Sequence, residues 1–402
     1  MLEALAPPQP DKILALIDLF RNDPRSNKVD LGVGVYKDAQ GRTPVFRAVR
    51  EAECRLLSEQ KSKSYLGPAG DAGFARAIVD LLFGSSADVS RIRACQTPGG
   101  MGALRALLEL LHRANPDVTI WSPQPSWPGH AGLIAAVGLR TRSYAYFSAE
   151  KREVWFEAML QSLKEARSGD VILLHGCCHN PTGADLDLAQ WNNLANVMAD
   201  RGLLPFIDIA YQGFGEGLEQ DAAGLRLIFT KVPEMVVAAS CSKNFGVYRD
   251  RVGAAIIVGR TPKQSDVAVA QLLGVARNIY SMPPDHGAAA IRIVLEDAEL
   301  RKDWENELEG MRRRMIGLRL GFAEALQRQS NSSRFQFLAR QRGMFSRIGA
   351  TPEDVELLCN EHAIYLVEDG RINVAGLPDD DRLDEVARAF IAVLDRRLDH
   401  SS

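Results

Sequence analysis

The segment Ser240-Cys241-Ser242-Lys243-Asn244-Phe245-Gly246-Val247-Tyr248-Arg249-Asp250-Arg251-Val252-Gly253 decides the fold class of this chain. One apolar run, Met235–Ala239, leads into it and another, Ala254–Val258, leads away, which is the pattern of two buried strands joined by a polar loop. Burying an ammonium group costs free energy, so a lysine at the end of a buried strand usually has a partner or a lowered pKa. Either condition suits a lysine that forms a Schiff base, and the alternative is a loop lysine that is simply solvated.

The composition is that of a globular protein with a large core. The chain has 402 residues, of which 46% are hydrophobic and 25% are charged, and this length predicts two domains. A net charge of −3 provides no basic field for nucleic acid. No apolar run is long enough to span a bilayer, and the first residues lack the pattern of a signal peptide. We therefore expect a protein that binds neither nucleic acid nor membranes.

The six cysteines indicate a reducing compartment. Cys177 and Cys178 are adjacent, which suits neither an ordinary disulfide nor a tetrahedral zinc site, and the other cysteines show no zinc spacing. We therefore expect reduced core cysteines, no metal ion and a cytoplasmic location.

A glycine-rich segment predicts an anion site. Small residues from Thr97 to Gly102 open a helix that we predict over Ala103–His112, and the free N–H groups at a helix start bind anions. A plain glycine turn and a dinucleotide fingerprint are the alternatives. The fingerprint is discounted because Arg105 stands where its third glycine belongs.

Polar residues also follow other predicted strands. Asp208 interrupts an apolar strand, and a buried carboxylate needs a partner, which is either a backbone N–H, an arginine or the N–H of a bound ring. Asn180 lies in a turn after the strand Val171–His175. Trp127 and His130 follow a strand over Val118–Trp121, and Trp127 taken alone is more often a core residue.

Strands and helices alternate from Val29 to Gly259, which predicts a parallel α/β sheet with polar residues along one edge. We also predict helices over 11–20, 43–59 and 187–201. A long amphipathic helix starts near Leu300, and the C-terminal third reads as a smaller α/β unit.

The motifs together resemble class I pyridoxal-phosphate aminotransferases of the aspartate and aromatic amino acid branch. The resemblance is carried by Ser-x-Ser-Lys-Asn-Phe-Gly-x-Tyr-x-x-Arg-Val-Gly and extends from about Leu31 to Leu377. It also includes Leu-Gly-Val-Gly-x-Tyr-Lys-Asp, His-Asn-Pro-Thr-Gly, Asp-x-Ala-Tyr-Gln-Gly-Phe and Gly-Arg-Ile-Asn-Val-Ala-Gly. It implies the fold of type I pyridoxal-phosphate enzymes, with an N-terminal arm and part of the small domain in 1–43, a large cofactor-binding domain in 44–312 and the rest of the small domain in 313–402.

The resemblance also implies roles for individual residues. Lys243 would bind the cofactor covalently and then act as a general base, Asp208 would pair with the ring nitrogen, and Tyr211 would bond the phenolic oxygen. Residues that match the family's other cofactor contacts are Gly99, Gly100, Met101, Trp127, His130, Asn180, Ser240, Ser242, Arg251 and, from a partner subunit, Tyr65. Residues that match its substrate contacts are Gly34, Trp127, Asn180, Arg371 for the α-carboxylate and, from a partner subunit, Arg277 for a distal carboxylate.

Four positions depart from the family pattern: Gly99 and Met101 stand where hydroxyls are frequent, Gly129 replaces an asparagine, and Met282 replaces another. The resemblance further implies cis peptide bonds at Gln124-Pro125 and Asn180-Pro181. Because Tyr65 and Arg277 fit the pattern only across a subunit boundary, we expect a homodimer with composite sites, and an arm up to about Asp11 that is either disordered or packed on a partner.

The function that the resemblance implies is ping-pong transfer of an amino group from aspartate, glutamate or an aromatic amino acid to a 2-oxo acid such as 2-oxoglutarate. Another pyridoxal-phosphate activity, such as a β-lyase or a decarboxylase, would keep Lys243 and Asp208 without needing both Arg277 and Arg371. A regulator on the same fold would need a DNA-binding domain, for which there is no room before Val29. A nicotinamide oxidoreductase is disfavoured by the imperfect glycine motif.

Overall fold

A computed structural model describes residues 2–6, 12–85, 87–379 and 381–399 of the chain. The contacts between residues divide it into a larger unit, Thr43–Asn180 with Ala184–Arg313, and a smaller unit, Met1–Arg42 with Pro181–Gly183 and Arg314–Ser402. Residues 7–11 of the predicted arm lie outside the described residues.

Helices and strands are numbered in chain order. The helices are α1 (Lys12–Asn22), α2 (Arg47–Glu59), α3 (Ala72–Phe83), α4 (Gly99–Ala114), α5 (Pro128–Val137), α6 (Phe156–Leu163), α7 (Leu188–Arg201), α8 (Leu218–Lys231), α9 (Pro262–Ile279), α10 (His286–Glu296), α11 (Ala298–Ser330), α12 (Phe337–Arg340), α13 (Pro352–His362) and α14 (Arg382–Asp399). The strands are β1 (Val29–Asp30), β2 (Ile92–Pro98), β3 (Thr119–Gln124), β4 (Arg140–Ala145), β5 (Phe147–Ser148), β6 (Glu153–Val154), β7 (Val171–His175), β8 (Leu204–Ile209), β9 (Met235–Ser240), β10 (Val252–Val258), β11 (Phe345–Arg347), β12 (Ile364–Tyr365) and β13 (Arg371–Asn373).

The larger unit contains a seven-stranded sheet in the order β2-β10-β9-β8-β7-β3-β4. The pairs from β9 to β4 are parallel, whereas β10 is antiparallel to both of its neighbours. Six strands therefore run in one direction, so β2, β3, β4, β7, β8 and β9 all end at the same edge of the sheet, and β10 begins there. The predicted fold class, a mostly parallel sheet flanked by helices, is confirmed.

The central strands of the sheet are apolar in sequence because they are buried on both faces. Every residue of β9 and β10 is buried, because helices cover both faces of the central strands. One core layer joins α4, α5 and α9 to the sheet, with members such as Leu107, Ile134, Leu173 and Leu272. The buried apolar residues thus form a rigid core, and the polar residues lie at the ends of its strands.

The smaller unit builds its own core around α11, α13 and α14. Its buried residues include Phe322, Leu358 and Phe390. Two short sheets complete it, β1 parallel to β12 and β11 antiparallel to β13. The predicted smaller α/β unit is therefore present, and β1 belongs to it rather than to the large sheet.

Some sequence predictions are wrong in detail. The helix predicted from Thr43 begins at Arg47: Pro44 disfavours helical backbone at Thr43, and Phe46, with a ψ of 138°, is the N-cap. The helix predicted from Ala103 already begins at Gly99. Among the described residues, Gln124-Pro125 is the one cis peptide bond, so the cis bond expected at Asn180-Pro181 is trans, which is the ordinary preference of an X-Pro bond.

All six cysteines are free thiols. Cys177, Cys178 and Asp221 place potential metal ligands within 4.8 Å of one another, but the Asp221 carboxylate already accepts backbone N–H groups of Gly213 and Gly215. In the described part of the chain, no helix has both the length and the apolar character needed to cross a membrane.

Candidate functional site

Lys243 lies in the loop between β9 and β10, at the sheet edge where the parallel strands end. Its Nζ is 4.8 Å from the centre of the Tyr211 ring, which follows β8. Burial lowers the pKa of the Lys243 ammonium, the Asp208 carboxylate raises it and the Arg251 guanidinium lowers it, and together these effects place the pKa at about 8. About a tenth of this lysine is therefore an uncharged nucleophilic amine at pH 7, far more than for an ordinary lysine.

Asp208 is the carboxylate of this cluster, and its side chain is 11% exposed. Its Oδ2 lies 2.8 Å from Nε2 of His130, which follows β3. Burial alone would raise the pKa of Asp208, but the hydrogen bond and charge of His130 lower it, with a smaller contribution from the charge of Lys243. Asp208 is thus held as an anion that can keep a proton on a neighbouring ring nitrogen.

The network behind Asp208 extends through Ser126 to a second histidine. Ser126 Oγ lies 2.9 Å from Nδ1 of His130 and 3.3 Å from Nε2 of His175. Burial lowers the pKa of His175 well below its ordinary value, so this ring is neutral. The sequence analysis assigned no role to Ser126 or His175, although both lie at strand ends on the same edge, and their contacts fix the orientation of His130.

The start of α4 faces Arg251 and the two serines of the lysine loop. Gly99 has a φ of +70°, and a Cβ built on it would lie 2.5 Å from Nη2 of Arg251. A Cβ on Gly100 would lie 2.9 Å from the Ser240 side chain. The two glycines therefore allow Arg251 and Ser240 to approach the N-terminus of the helix, where free N–H groups attract anions.

Arg251 adopts a left-handed backbone conformation, with a φ of +55°, that non-glycine residues rarely adopt. Its Nη1 donates to Tyr248 O at 3.0 Å and to Ser242 Oγ at 3.3 Å. Ser240 Oγ donates to Ser242 Oγ at 3.3 Å. These contacts group a guanidinium, two hydroxyls and a helix start, which is a suitable set for a phosphate. Met101 is also in the first turn of α4, with its side chain 44% exposed.

Trp127 meets the ring of His130 edge-on, with ring centres 5.1 Å apart. A Cβ on Gly129 would lie 2.3 Å from the Trp127 ring. The departure from the family asparagine at this position thus has a physical reason, since a side chain at residue 129 would displace the indole.

Asn180 is buried after β7 in a loop that Asp185 organises. The Asp185 carboxylate accepts the backbone N–H groups of Cys178 at 2.7 Å and His179 at 2.8 Å. Asn180 and Tyr211 are 5% and 6% exposed, respectively, so both are held within the frame of the larger unit.

In the smaller unit, Arg371 and Gly34 belong to one hydrogen-bonded arrangement. Arg371 is 6% exposed, its Nη2 donates to Gly32 O at 2.8 Å, and its guanidinium lies over the Phe345 ring at 4.4 Å. Asn373 Nδ2 donates to Val33 O at 2.6 Å and to Val35 O at 2.8 Å. The glycine segment is therefore tied to the strand that carries Arg371, and Asn373 is a positioning residue that the sequence analysis did not assign.

Tyr65 and Arg277 are not part of the Lys243 cluster in a single chain. Tyr65 is 90% exposed, and Arg277 is exposed in the last turn of α9. Next to Tyr65, the backbone N–H of Leu66 donates to Sδ of Met282 at 3.0 Å. The Met282 thioether thus accepts a hydrogen bond that stabilises the backbone beside Tyr65.

Known proteins of one family are similar to this chain over nearly its whole length. The family model for aminotransferase class I and II matches residues 26–390. The chain is 49% identical to an aromatic-amino-acid aminotransferase of Paracoccus denitrificans, over 98% of this chain and 100% of that one. It is 45% identical to an aspartate aminotransferase of Salmonella typhi, again over 98% and 100% of the two chains. An aromatic-amino-acid aminotransferase of Burkholderia pseudomallei, solved covalently bound to pyridoxal phosphate, superposes with a TM-score of 0.95 at 39% identity and covers 98% of this chain and 99% of its own.

The residues around Lys243 fit that cofactor on chemical grounds. An aldehyde-bearing pyridine phosphate requires an amine that is partly uncharged, a carboxylate that faces a ring nitrogen and a site for a dianion. Lys243, Asp208 and the start of α4 beside Arg251 provide these three groups in the larger unit. The chain therefore belongs to the class I and II aminotransferases, the pyridoxal-phosphate-dependent enzymes that transfer amino groups.

Proposed function

We propose that this protein transfers the amino group of aromatic and dicarboxylic amino acids to a 2-oxo acid such as 2-oxoglutarate in a ping-pong reaction. The observation that carries the proposal is that one sheet edge holds both Lys243, with a pKa of about 8, and an Asp208 carboxylate that His130 keeps ionised. An amine and an anion maintained in this way, at the same sheet edge as an anion site, supply the groups that pyridoxal-phosphate chemistry needs.

The residues of the larger unit would hold pyridoxal 5′-phosphate as follows. Lys243 would bind it covalently, Asp208 with His130 would meet its ring nitrogen, and Trp127 would stack on the ring. Tyr211 and Asn180 would bond its phenolic oxygen. The phosphate contacts would come from Gly99, Gly100, Met101, Ser240, Ser242, Arg251 and Tyr65 of the partner subunit. When bound, the cofactor accepts the electron pair that the substrate's α-carbon releases.

Lys243 would also move the proton of the reaction. In its uncharged form, the Lys243 amine would take the proton from the α-carbon of a bound amino acid and would later give that proton back. A pKa near 8 suits both directions of this transfer, since the group can exist in either protonation state near neutral pH. Asp208 and Tyr211 would adjust the charge on the cofactor ring during this step.

We assign Arg371 to the substrate's α-carboxylate, because a guanidinium fork pairs with both carboxylate oxygens. Gly34 would provide a main-chain contact that a side chain would block. Asn180 and Trp127 would complete the substrate contacts, and Arg277 of the partner subunit would bind a distal carboxylate. The apolar Met101 and Met282 favour acceptance of aromatic side chains, as do the names of relatives such as the Paracoccus denitrificans enzyme.

The assembly that we propose is a homodimer with two composite sites, because Tyr65 is 90% exposed in the single chain and matches a residue that reaches a neighbouring site. We also propose that 44–312 is the cofactor-binding domain and that 1–43 with 313–402 forms the small domain. A cytoplasmic location, consistent with six free cysteines, completes the proposal.

Another type I pyridoxal-phosphate activity, that of a β-lyase or a decarboxylase, is not favoured. The relatives that support the assignment are aromatic-amino-acid and aspartate aminotransferases. Formation of a 2-oxo acid product, and dependence of turnover on a 2-oxo acid, would separate amino transfer from elimination and decarboxylation.

The test is a single-turnover half-reaction. Cofactor-loaded enzyme is mixed separately with aspartate, glutamate, phenylalanine and tyrosine, and the loss of the lysine-bound cofactor absorbance is followed. We expect conversion by all four amino acids. Conversion by aspartate and glutamate only would restrict the substrates to dicarboxylates, and no conversion by any of the four would contradict the proposed function.

A further inference from the structure

Trp304 is a buried aromatic residue in an otherwise charged part of α11. It lies in the second turn of the helix, between Asp303 and Glu305, and its side chain is fully buried. Nothing in the proposed function uses it. Burying an indole requires both apolar surroundings and a partner for its N–H, so its contacts identify what it holds.

Two contacts of Trp304 are to residues that directly follow Lys243. The indole Nε1 donates to the backbone oxygen of Asn244 at 2.6 Å. The indole ring also stacks on Phe245, with ring centres 4.4 Å apart and planes within 1° of parallel. The loop has its own turn hydrogen bond, from Gly246 N to Lys243 O at 3.1 Å, so the indole holds a tight turn from outside.

The helix that carries Trp304 is itself fixed within the larger unit. Nη2 of Arg47 pairs with Asp303 at 2.6 Å, and the backbone N–H of Arg47 donates to Glu307 at 2.7 Å. Asp303 precedes Trp304 and Glu307 lies about one turn after it. The start of α2 therefore holds this part of α11 on both sides of the indole.

We propose that Trp304 is a positioning residue that anchors the backbone after Lys243 and so keeps the Lys243 amine over Tyr211 and away from water. The inference rests on the proposed function for the role of Lys243 as the reacting amine. The lysine loop turns sharply outside the sheet, so the ladder hydrogen bonds of β9 and β10 do not hold its tip. Without the indole, the tip would be freer to move and water would reach Nζ more often.

The variant Trp304→Phe separates the two contacts, because it retains an aromatic ring to stack on Phe245 but removes the N–H donor. The matched control is Trp121→Phe. Trp121 is also buried in the larger unit, and its Nε1 donates at 3.0 Å to Oδ2 of Asp170, which precedes β7 at the edge of the sheet opposite to Lys243. Each variant thus loses one buried indole hydrogen bond, and urea unfolding records the stability that each loses.

The measurement is a pH titration of the absorbance of the lysine-bound cofactor in purified loaded enzyme. Greater hydration favours the protonated nitrogen, so we expect the midpoint for Trp304→Phe to rise by about 0.5 pH unit or more. The Trp121→Phe midpoint should match that of the wild type. A Trp304→Phe midpoint equal to the wild type, or an equal shift in the two variants, would overturn the inference.

A second variant covers the case in which Trp304→Phe does not fold. Phe245→Leu removes the stacking contact from the other side and should also raise the midpoint, and an unchanged midpoint would count against the proposal. A wild-type enzyme without lysine-bound cofactor absorbance would contradict the proposed function and the inference with it. A normal wild-type titration with unmoved variants would contradict the inference alone.

Discussion

At the scale of single residues, the site depends on two side chains whose pKa values in the folded chain differ from their ordinary values. Lys243 is kept partly uncharged by burial, and Asp208 is kept ionised in spite of burial by His130. Desolvation disfavours the charged form of both groups. At Asp208 the hydrogen bond from His130 reverses that effect, whereas at Lys243 burial remains the largest influence. Lys243 is therefore expected to reduce stability near neutral pH, whereas the lowered pKa of Asp208 means that its ionised form contributes to stability.

The first prediction is that Lys243→Met stabilises the cofactor-free protein at pH 7. The ordinary pKa of a lysine, 10.5, applies to the unfolded chain, whereas that of Lys243 in the folded chain is about 8. Below pH 8 the folded state holds the ammonium at a cost of up to about 3 kcal/mol, which methionine removes. From pH 8 to 10.5 the unfolded chain binds more protons, so the wild type gains stability with pH and the difference disappears.

Urea unfolding of both proteins at pH 7 and at pH 10 measures this difference. The matched control is Lys302→Met, which changes an exposed lysine of α11. We expect that control to change stability by less than about 0.5 kcal/mol at either pH. Burial of Lys243 would carry no such cost if Lys243→Met were less stable than the wild type at pH 7. The same conclusion would follow if the variant exceeded the wild type in stability by the same amount at both pH values.

At the scale of secondary-structure elements, the start of α4 determines whether an anion can approach. Gly99 is the first residue of the helix, and its backbone conformation and lack of a side chain leave space for Arg251. Local spacing predicted the helix but not its first residue, because small residues can form either a turn or a helix start. Packing against Arg251 and Ser240 decided between the two.

The second prediction is that Gly99→Ala weakens cofactor binding. A Cβ in this conformation is strained, and it would displace Arg251 from 2.5 Å. We expect the dissociation constant of pyridoxal 5′-phosphate, measured by fluorescence titration of the cofactor-free enzyme, to rise by about tenfold or more, which is about 1.4 kcal/mol.

The matched control for that prediction is Gly132→Ala in α5. A Cβ there meets no atom within 4 Å, and alanine is the better helix residue by about 0.5–1 kcal/mol. It should bind the cofactor as the wild type does and be slightly more stable. Equal affinities in the two variants would mean that the approach of Arg251 to α4 does not contribute to phosphate binding.

At the scale of the whole molecule, the larger unit contains most of the assigned site residues, and the smaller unit contains Gly34 and Arg371. Tyr65 and Arg277 are exposed in the single chain, although they match residues of the family's site. Under the proposed homodimer, each complete site needs these two side chains from the partner subunit.

The third prediction tests that arrangement with hybrid dimers. Lys243→Ala and Arg277→Ala proteins should each transaminate aspartate poorly. Mixed dimers should regain one competent site, which combines Lys243 of one chain with Arg277 of the other. Activity of a refolded mixture, compared with each parent refolded alone, measures the recovery.

The control mixture joins Lys243→Ala with Arg371→Ala. Lys243 and Arg371 would serve the same site from the same chain, so no competent site can form and activity should stay at the level of the parents. Recovery in the control mixture, or none in the first mixture, would contradict composite sites.

The amino-acid sequence by itself determined the fold class and the chemistry-bearing motifs of this protein. Apolar runs with period and length typical of buried strands, each followed by polar residues, are local properties of the chain. They are sufficient to place Lys243, Asp208 and Asn180 at strand ends. The cofactor and the family followed from the resemblance that those motifs carry, and the comparisons confirmed both.

Only the tertiary structure decided which groups touch. Ser126, His175 and Asn373 acquire roles through contacts between segments that are distant in sequence, and the bond from Trp304 to Asn244 spans 60 residues. The same holds for the pKa of Lys243, which depends on the burial and the charges that the assembled sheet edge imposes. Sequence patterns report local preference, whereas desolvation and hydrogen bonding depend on distances that exist only once the chain has folded.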